Sequence, residues 1–441
     1  TASCDDAWDS NLEDCLSGTN SKNSKDKYLG TSSSSSSGSS SFAQKSYSQQ
    51  TKNSNNNNNN TNLNASSSSS SSGLSVASNQ ESDPKLTKLK RILFDDEVTD
   101  LNQLRSLAWA GVPNQVRPIT WKLLLGYLPV IRAKREQVLE RKRSEYQNLV
   151  EQYYNNRSSN DEIWRQIHID IPRMQPLISI FQQPLVQGIF ERILYIWSIR
   201  HPASGYVQGM NDLVTPFFVT YLSEFIPGNE LSKVESFEVS QCLTIETLQG
   251  VEADSFWSFT KLLDSIQDNY TFAQPGIQHL VNLLACVVSR VDRSLHQHLE
   301  KHNVQYLQFA FRWMNNLLIR EIPLRCIVRL WDTYLSEGAV TTTALPTQHS
   351  TAVATLQDNS TDSNNWTMGS GTPFSSAFHL YVCAAFLRFW SKNLLQEKDF
   401  QGLMLLLQNL PTFHWTDKDI TLLVADAYQL KYTFSPNHLK I

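Results

Sequence analysis

The chain has 441 residues and a formal net charge of −4, so it carries no global attraction to nucleic acid or to an anionic membrane. No apolar run approaches the length needed to span a bilayer, and no signal peptide is visible, although a chain that begins at Thr1 leaves a removed targeting segment open. The six cysteines, at 4, 15, 242, 286, 326 and 383, form neither a C-x-x-C pair nor a dense framework, and several lie in apolar helical patterns such as LLACVV. That usage predicts reduced core thiols in an intracellular protein.

Residues 1–83 contain SSSSSSGSSS, SNNNNNNT and ASSSSSSSG. Such side chains bury almost no apolar area, so ordering them would cost entropy without compensation, and the segment is expected to be disordered. Order is expected from Asp83-Pro84, where DPKLTKLKRILF places Leu86, Leu89 and Leu93 on one helical face. Thr99 is the predicted cap of a second helix, DLNQLRSLAWA, which Gly111 ends, and Pro118 opens a third in RPITWKLLLGYL. Arg117, a lone basic residue ahead of Trp121, fits a structural ion pair better than a nucleic-acid contact.

RAKREQVLERKRSEYQNLVEQYY reads as a charged helix with a solvated face, since Glu136, Glu140 and Glu145 dilute a basic field that could otherwise meet acidic lipid. Asn160 is the predicted cap of DEIWRQIHI, whose end delivers the chain to Arg173. Pro172 and Pro176 flank Arg173 and discourage helix there, which makes Arg173 a loop residue. A strut follows: Val186, Ile189, Ile193 and Trp197 recur at spacings of three and four, with Pro184 ahead as a start signal and Pro202 beyond as a stop. Ser204, Gly205 and Gly209 then form a second loop that carries Gln208.

Arginine offers a permanently charged, planar fork suited to phosphate oxygens, and glutamine can both donate to and accept from a water. Taken alone, each has a plainer role, Arg173 as a structural partner of Asp170 and Gln208 as a loop amide. Together, with no catalytic His, Cys or Ser nearby, they suit phosphoryl transfer to water.

Past this pair, NDLVTPFFVTYLSEF is helical, with Pro216 either in its first turns or at a kink. Ile226 to Glu252 is expected to be an acidic surface connector. SFWSFTKLLDSI, capped by Asp254, and GIQHLVNLLACVVSRV are apolar enough for interior helices. His298 and His302 share a helical face in HQHLEKH but have no placed third ligand, so surface polar residues are the better reading than a metal site. QYLQFAFRWMNNLLI and PLRCIVRLWDTYL supply aromatic core. Residues 337–375 lose the periodicity and are expected to be a disordered insertion, after which SAFHLYVCAAFLRFW, DFQGLMLLLQNL and DKDITLLVADAYQLKY complete an all-α fold. No alternating strand pattern and no G-x-x-x-x-G-K-[ST] phosphate loop interrupts it.

The I-x-x-D-x-x-R pattern of Ile167, Asp170 and Arg173, followed by Y-x-Q at Tyr206, Val207 and Gln208, resembles the signature pair of TBC-domain GTPase-activating proteins for Rab GTPases. The resemblance covers roughly residues 85 to 435. AWAGVPNQVRPITWKLLLGYLP is similar to the opening motif of that family, and EADSFWSFTKLLDSIQDNYTFAQPGI and FAFRWMNNLLIREIPLRCIVRLWDTYL to later blocks. RHPASGYVQGMNDLVTPFF and the split after LWDTYLSE resemble the yeast Gyp branch and its animal counterparts, which act in the early secretory pathway.

The resemblance implies a multi-helix TBC domain over residues 84–436, interrupted by 337–375. It implies that Arg173 is an arginine finger and Gln208 a glutamine finger, offered in trans to a Rab in its GTP form. Mg²⁺ and GTP would be carried by the Rab, leaving the chain with no metal or cofactor of its own. Asp170 would orient the guanidinium through a charged hydrogen bond, Tyr206 would buttress the glutamine loop, and Ile167 would pack inward. The implied setting is cytoplasmic, with peripheral recruitment to Golgi or other secretory membranes, no transmembrane segment and no nucleic-acid partner. Two rivals remain: a catalytically silent Rab-binding scaffold, and a helical scaffold in which Arg173 and Gln208 merely stabilise loops.

Overall fold

Short capping side chains and prolines decide where the helices of this protein start. The structure, a computed structural model, describes residues 83–157, 161–338, 374 and 376–434. The expected disordered N-terminus and insertion therefore lie outside the described residues, except at their edges. Asp83 is ordered and caps α1 (Pro84–Lys90) by accepting from the Lys85 amide, and Glu337 is the last residue of the helix Leu324–Glu337. Among the described residues there is no strand, only an isolated antiparallel bridge between Val98 and Ile131.

The second helix, α2 (Leu101–Ala108), is capped by Asp100 and not by Thr99. Thr99 is buried, where its hydroxyl donates to the Ile92 carbonyl and accepts from Arg135. Pro118 opens α3 (Arg117–Leu124) as its position predicts. Arg117 makes the expected structural ion pair: its Nε lies 3.1 Å from Asp332 Oδ1, and Trp121 Nε1 donates to the same carboxylate at 2.7 Å. The charged helix is α4 (Arg135–Leu149), and its basic residues are less solvated than expected: Arg141 is exposed, Lys142 is half-buried, Arg135 is buried and Arg143 turns inward. Asp161, one residue after the predicted Asn160, caps α5 (Glu162–Asp170) through the Trp164 amide.

The strut is α6 (Pro184–Arg200), with Val186, Ile189, Ile193 and Trp197 all buried. It packs on α7 (Met210–Leu222), in which every residue is buried. Pro216 lies inside α7 without ending it. A residue with an amide at 216 would have bonded to the Asp212 carbonyl, and Thr215 Oγ1 donates to that oxygen instead, at 2.7 Å.

The region expected as a surface connector contributes to the core. It holds α8 (Leu231–Val234) and α9 (Val239–Cys242), with Val234 and Val239 fully buried, and leads into α10 (Ile245–Ser265). Thr244 caps α10, so Asp254 is a mid-helix residue and not the cap the sequence suggested. Two carboxylates of α10 organise the neighbouring helices. Glu252 takes a two-pronged contact from Arg192 of α6, 2.7 Å on each oxygen, and a hydrogen bond from Tyr146 of α4. Asp254 meets Lys122 at 2.6 Å, Arg143 at 2.8 Å and the Tyr127 hydroxyl at 2.8 Å. Burial pushes the Asp254 carboxyl up, but Lys122 and Arg143 outweigh it and hold it below the usual range.

The C-terminal half comprises α11 (Pro275–Val291), α12 (Arg293–Lys301), α13 (Leu307–Asn315), α14 (Leu324–Glu337), α15 (Ser376–Phe389), α16 (Ser391–Leu394), α17 (Phe400–Gln408) and α18 (Asp417–Thr433). α11 packs against α13 and α15, while α14 reaches back to α2, α3 and α7 and so ties the two halves together. Cys326 and Cys383 are buried thiols, but Cys242 and Cys286 are exposed, which corrects the expectation that the cysteines are core residues. Each lies on the outer stripe of an amphipathic helix, where an apolar run does not by itself bury every member.

Candidate functional site

Arg173 does not sit on an open loop. α5 continues directly into a 3₁₀ turn, Ile171–Arg173, because Pro172 falls in the first positions of the turn, where no amide donor is required. Ile171 and Met174, three residues apart, are 0% and 1% exposed, and Pro172 and Arg173 between them face outward. Gln182 Nε2 donates to the Met174 carbonyl at 3.3 Å and steadies the exit. The guanidinium is thus presented to solvent on a backbone anchored on both sides.

Gln208 lies on the turn ahead of α7. Gly205 (φ 62°) and Gly209 (φ 98°) take left-handed conformations that a side chain would strain, and the Gly205 amide donates to the His201 carbonyl at 2.8 Å. Between them, Tyr206 is buried and its hydroxyl donates to Asp170 Oδ2 at 3.0 Å. Asp170 is three residues before Arg173 and Tyr206 two before Gln208, so this one bond brings the two turns together. Ile167 is fully buried beneath them.

The hydrogen bond of Asp170 therefore goes to Tyr206 and not, as the sequence suggested, to Arg173. Among the described residues Arg173 makes no ion pair, and it influences Asp170 only through its field. Burial raises the Asp170 pKa; the Tyr206 hydroxyl, Arg173 and Arg320 oppose that shift without cancelling it. The Tyr206 hydroxyl is pushed well above its ordinary value by burial and by the carboxylate it faces, so it stays a donor.

A second support was missed from the sequence. The Gln208 main-chain carbonyl accepts from Asn315 Nδ2 at 3.2 Å, and that nitrogen also donates to Asn316 Oδ1 at 2.9 Å. Asn316 Nδ2 donates to Asp212 Oδ2 at 2.8 Å, and Arg320 Nε reaches the same oxygen at 2.6 Å. The Tyr270 hydroxyl closes the group on the Asn315 carbonyl at 2.6 Å. Leu317 (φ 51°) and Leu318 (φ 65°) follow in left-handed conformations, a strain of about 1–3 kcal/mol each that the surrounding packing must impose. The signal was present as polar pairs, Asn211-Asp212 and Asn315-Asn316, inside apolar runs.

Two apolar side chains are almost wholly exposed: Leu177 at 97%, four residues after Arg173, and Phe272 at 96%, two after Tyr270. Among the described residues no group of three metal-binding side chains forms. His298 Nε2 lies 3.0 Å from the Glu397 carbonyl, a contact between elements of the fold. The arrangement is an exposed cation and a half-exposed amide on adjoining, rigid turns. Such side chains can donate to phosphate oxygens and hold a water.

The model of the Rab-GTPase-TBC domain family matches residues 114–356, and the chain belongs to that family. Human TBC1 domain family member 22B is 54% identical over 360 residues, covering 81% of this chain and 63% of that protein. GTPase-activating protein GYP1 of Saccharomyces cerevisiae is 42% identical over 372 residues, covering 78% and 58%. The crystal structure of the Ypt/Rab-GAP domain of Gyp1p superposes with a TM-score of 0.69 at 41% identity, covering 80% of this chain and 98% of that one. The chain thus spans less than two thirds of the length of these two curated relatives, while the family and branch agree with the motifs that suggested them.

Proposed function

We propose that this chain is a Rab GTPase-activating protein that supplies Arg173 and Gln208 in trans to a Rab in its GTP form. The observation that carries the reading is the Tyr206–Asp170 hydrogen bond, which joins the turn of an exposed arginine, without an ion pair among the described residues, to the turn of a half-exposed glutamine. In this reading Arg173 neutralises charge developing between the β- and γ-phosphates. Gln208 orients the attacking water in place of the glutamine of the Rab, and the Rab carries the GTP and Mg²⁺. An arginine supplied in trans contributes on the order of 10³ to 10⁵ in rate. The relatives named GTPase-activating proteins and the Ypt/Rab-GAP domain support the partner class.

Leu177 and Phe272 fit the same reading as apolar contacts for a partner surface, being large side chains left almost wholly exposed. No described helix is long and apolar enough to cross a membrane. Peripheral attachment of a cytoplasmic protein to Golgi or other secretory membranes belongs to the same proposal. The test is complex formation with a Rab panel loaded with GDP, with and without aluminium fluoride. Capture that depends on fluoride, and is lost in Arg173→Ala, supports the reading. Equal capture with and without fluoride and in both finger variants would instead support a silent Rab-binding scaffold.

A further inference from the structure

An open cavity of about 640 Å³ lies between α1, the turn ahead of α3, α14 and the first turns of α18, and shares no lining residue with the site above. Its walls carry four cations, Lys85, Arg117, Arg329 and Lys418, against one carboxylate, Asp417. Arg117 is spent on Asp332, which also accepts from the Val112 amide and Trp121 and so has no capacity left for another partner. Arg329 is the anomaly. It is 4% exposed, its Nη1 donates to Thr333 Oγ1 at 2.9 Å, and its Nη2 is shut off from solvent with no hydrogen-bond partner. It makes no ion pair among the described residues, and Asp332 and Asp417 act on it only from a distance.

A buried guanidinium without a counter-ion is unfavourable, and native folds rarely keep one without a reason. The seat is shaped for it: a Cβ on Gly111 would lie 2.8 Å from Arg329 Nε, so only bare backbone admits the side chain there. Lys85 Nζ converges on the same spot by donating to the Gly111 carbonyl. Burial, and next the Arg329 charge, depress the Lys85 pKa, and the fields of Asp332 and Asp83 oppose that shift without cancelling it. Lys418 and Leu422 at the rim are exposed and can move aside at little cost.

We propose that this cavity binds a phosphate monoester group, received by Arg329 with Lys85 and Lys418 completing the charge. The fork of an arginine with flanking lysines suits tetrahedral phosphate oxygens better than a single carboxylate. The phosphate can belong to a soluble molecule or to a phosphoinositide headgroup, and both have the same chemistry at the cavity. The inference goes beyond the GTPase reading and does not depend on it, because its test reads ligand binding and not hydrolysis.

The test is titration calorimetry and thermal melting of the full chain with inorganic phosphate and with a soluble inositol phosphate, against chloride at matched ionic strength. Sedimentation with phosphatidylcholine vesicles, with and without a phosphatidylinositol phosphate, forms the second arm. Both phosphates should raise the melting temperature and chloride should not. Arg329→Met and Lys418→Glu should each weaken binding by about tenfold or more, the loss expected for one charge-assisted hydrogen bond. Lys418→Glu alters an exposed side chain and keeps the outcome readable should Arg329→Met fail to fold. Binding of the soluble phosphates without vesicle sedimentation supports a soluble ligand, and sedimentation that requires the phosphoinositide supports a lipid headgroup. Absence of binding to every probe, or binding undiminished in both variants, overturns the proposal.

Discussion

Tyr206→Phe removes one hydroxyl and keeps the buried ring, so it isolates the bond that joins the two turns. The hydroxyl donates at 3.0 Å to a carboxylate that is 9% exposed. A hydrogen bond to a charged group is worth about 1.5–3 kcal/mol, and its loss leaves Asp170 buried without that donor. Because Asp170 keeps some solvent contact, the lower half of that range, about 1.5–2 kcal/mol, is expected in urea unfolding. The pH dependence has a definite sign. The folded-state pKa of Asp170 is already raised by burial, and removing a donor that opposed the shift raises it further. The cost of the substitution is therefore complete at neutral pH and fades as pH falls through the raised pKa, where a protonated carboxyl no longer needs the donor. Loosening one turn against the other should also lower single-turnover GTP hydrolysis by about tenfold or more. Unchanged stability together with an unchanged rate would refute the claim that this bond sets the two fingers.

Asp254→Asn should cost about 3–5 kcal/mol at neutral pH by leaving Lys122 and Arg143 uncompensated. Since the folded pKa of Asp254 is depressed, the wild-type advantage is full above about pH 4 and shrinks as pH falls through the folded value, which urea midpoints against pH will show. Leu177→Asp and Phe272→Asp should raise the concentration needed for half-maximal Rab stimulation by about tenfold each while leaving the melting temperature unchanged, because both side chains are exposed. Gly209→Ala, at φ 98°, should destabilise by about 1 kcal/mol or more and slow hydrolysis through Gln208; a variant as stable and active as wild type would show that the turn tolerates a side chain.

The long helices were legible because their apolar spacing is strong: α6, α7, α11 and α14 fall where the periodicity puts them. Caps were less so, since neighbouring polar residues compete. Asp100 outbids Thr99 because Thr99 has a buried partner in Arg135, and Thr244 caps α10 because Asp254 is claimed by cations from α3 and α4. The acidic composition of the Ile226–Glu252 segment hid its structural weight, as composition does not reveal that Glu252 meets Arg192 and Tyr146 from other helices. At the site, the residues that face outward could be named from the sequence, but not what holds them. Asp170 looked like the natural partner of Arg173 because the two are three apart, whereas its actual partner is 36 positions away. The Asn315–Asn316–Asp212–Arg320 network likewise joins residues about a hundred positions apart, beyond any local pattern.

Whether Arg173 and Gln208 act on a nucleotide held by a Rab is measured directly by single-turnover GTP hydrolysis with a Rab panel. Wild type should accelerate at least one Rab by on the order of 10³ to 10⁵. Arg173→Ala, Arg173→Lys and Gln208→Ala should lose most of that acceleration without loss of thermal stability, lysine failing because it lacks the planar fork. Hydrolysis as fast with Arg173→Ala and Gln208→Ala as with wild type would contradict the account.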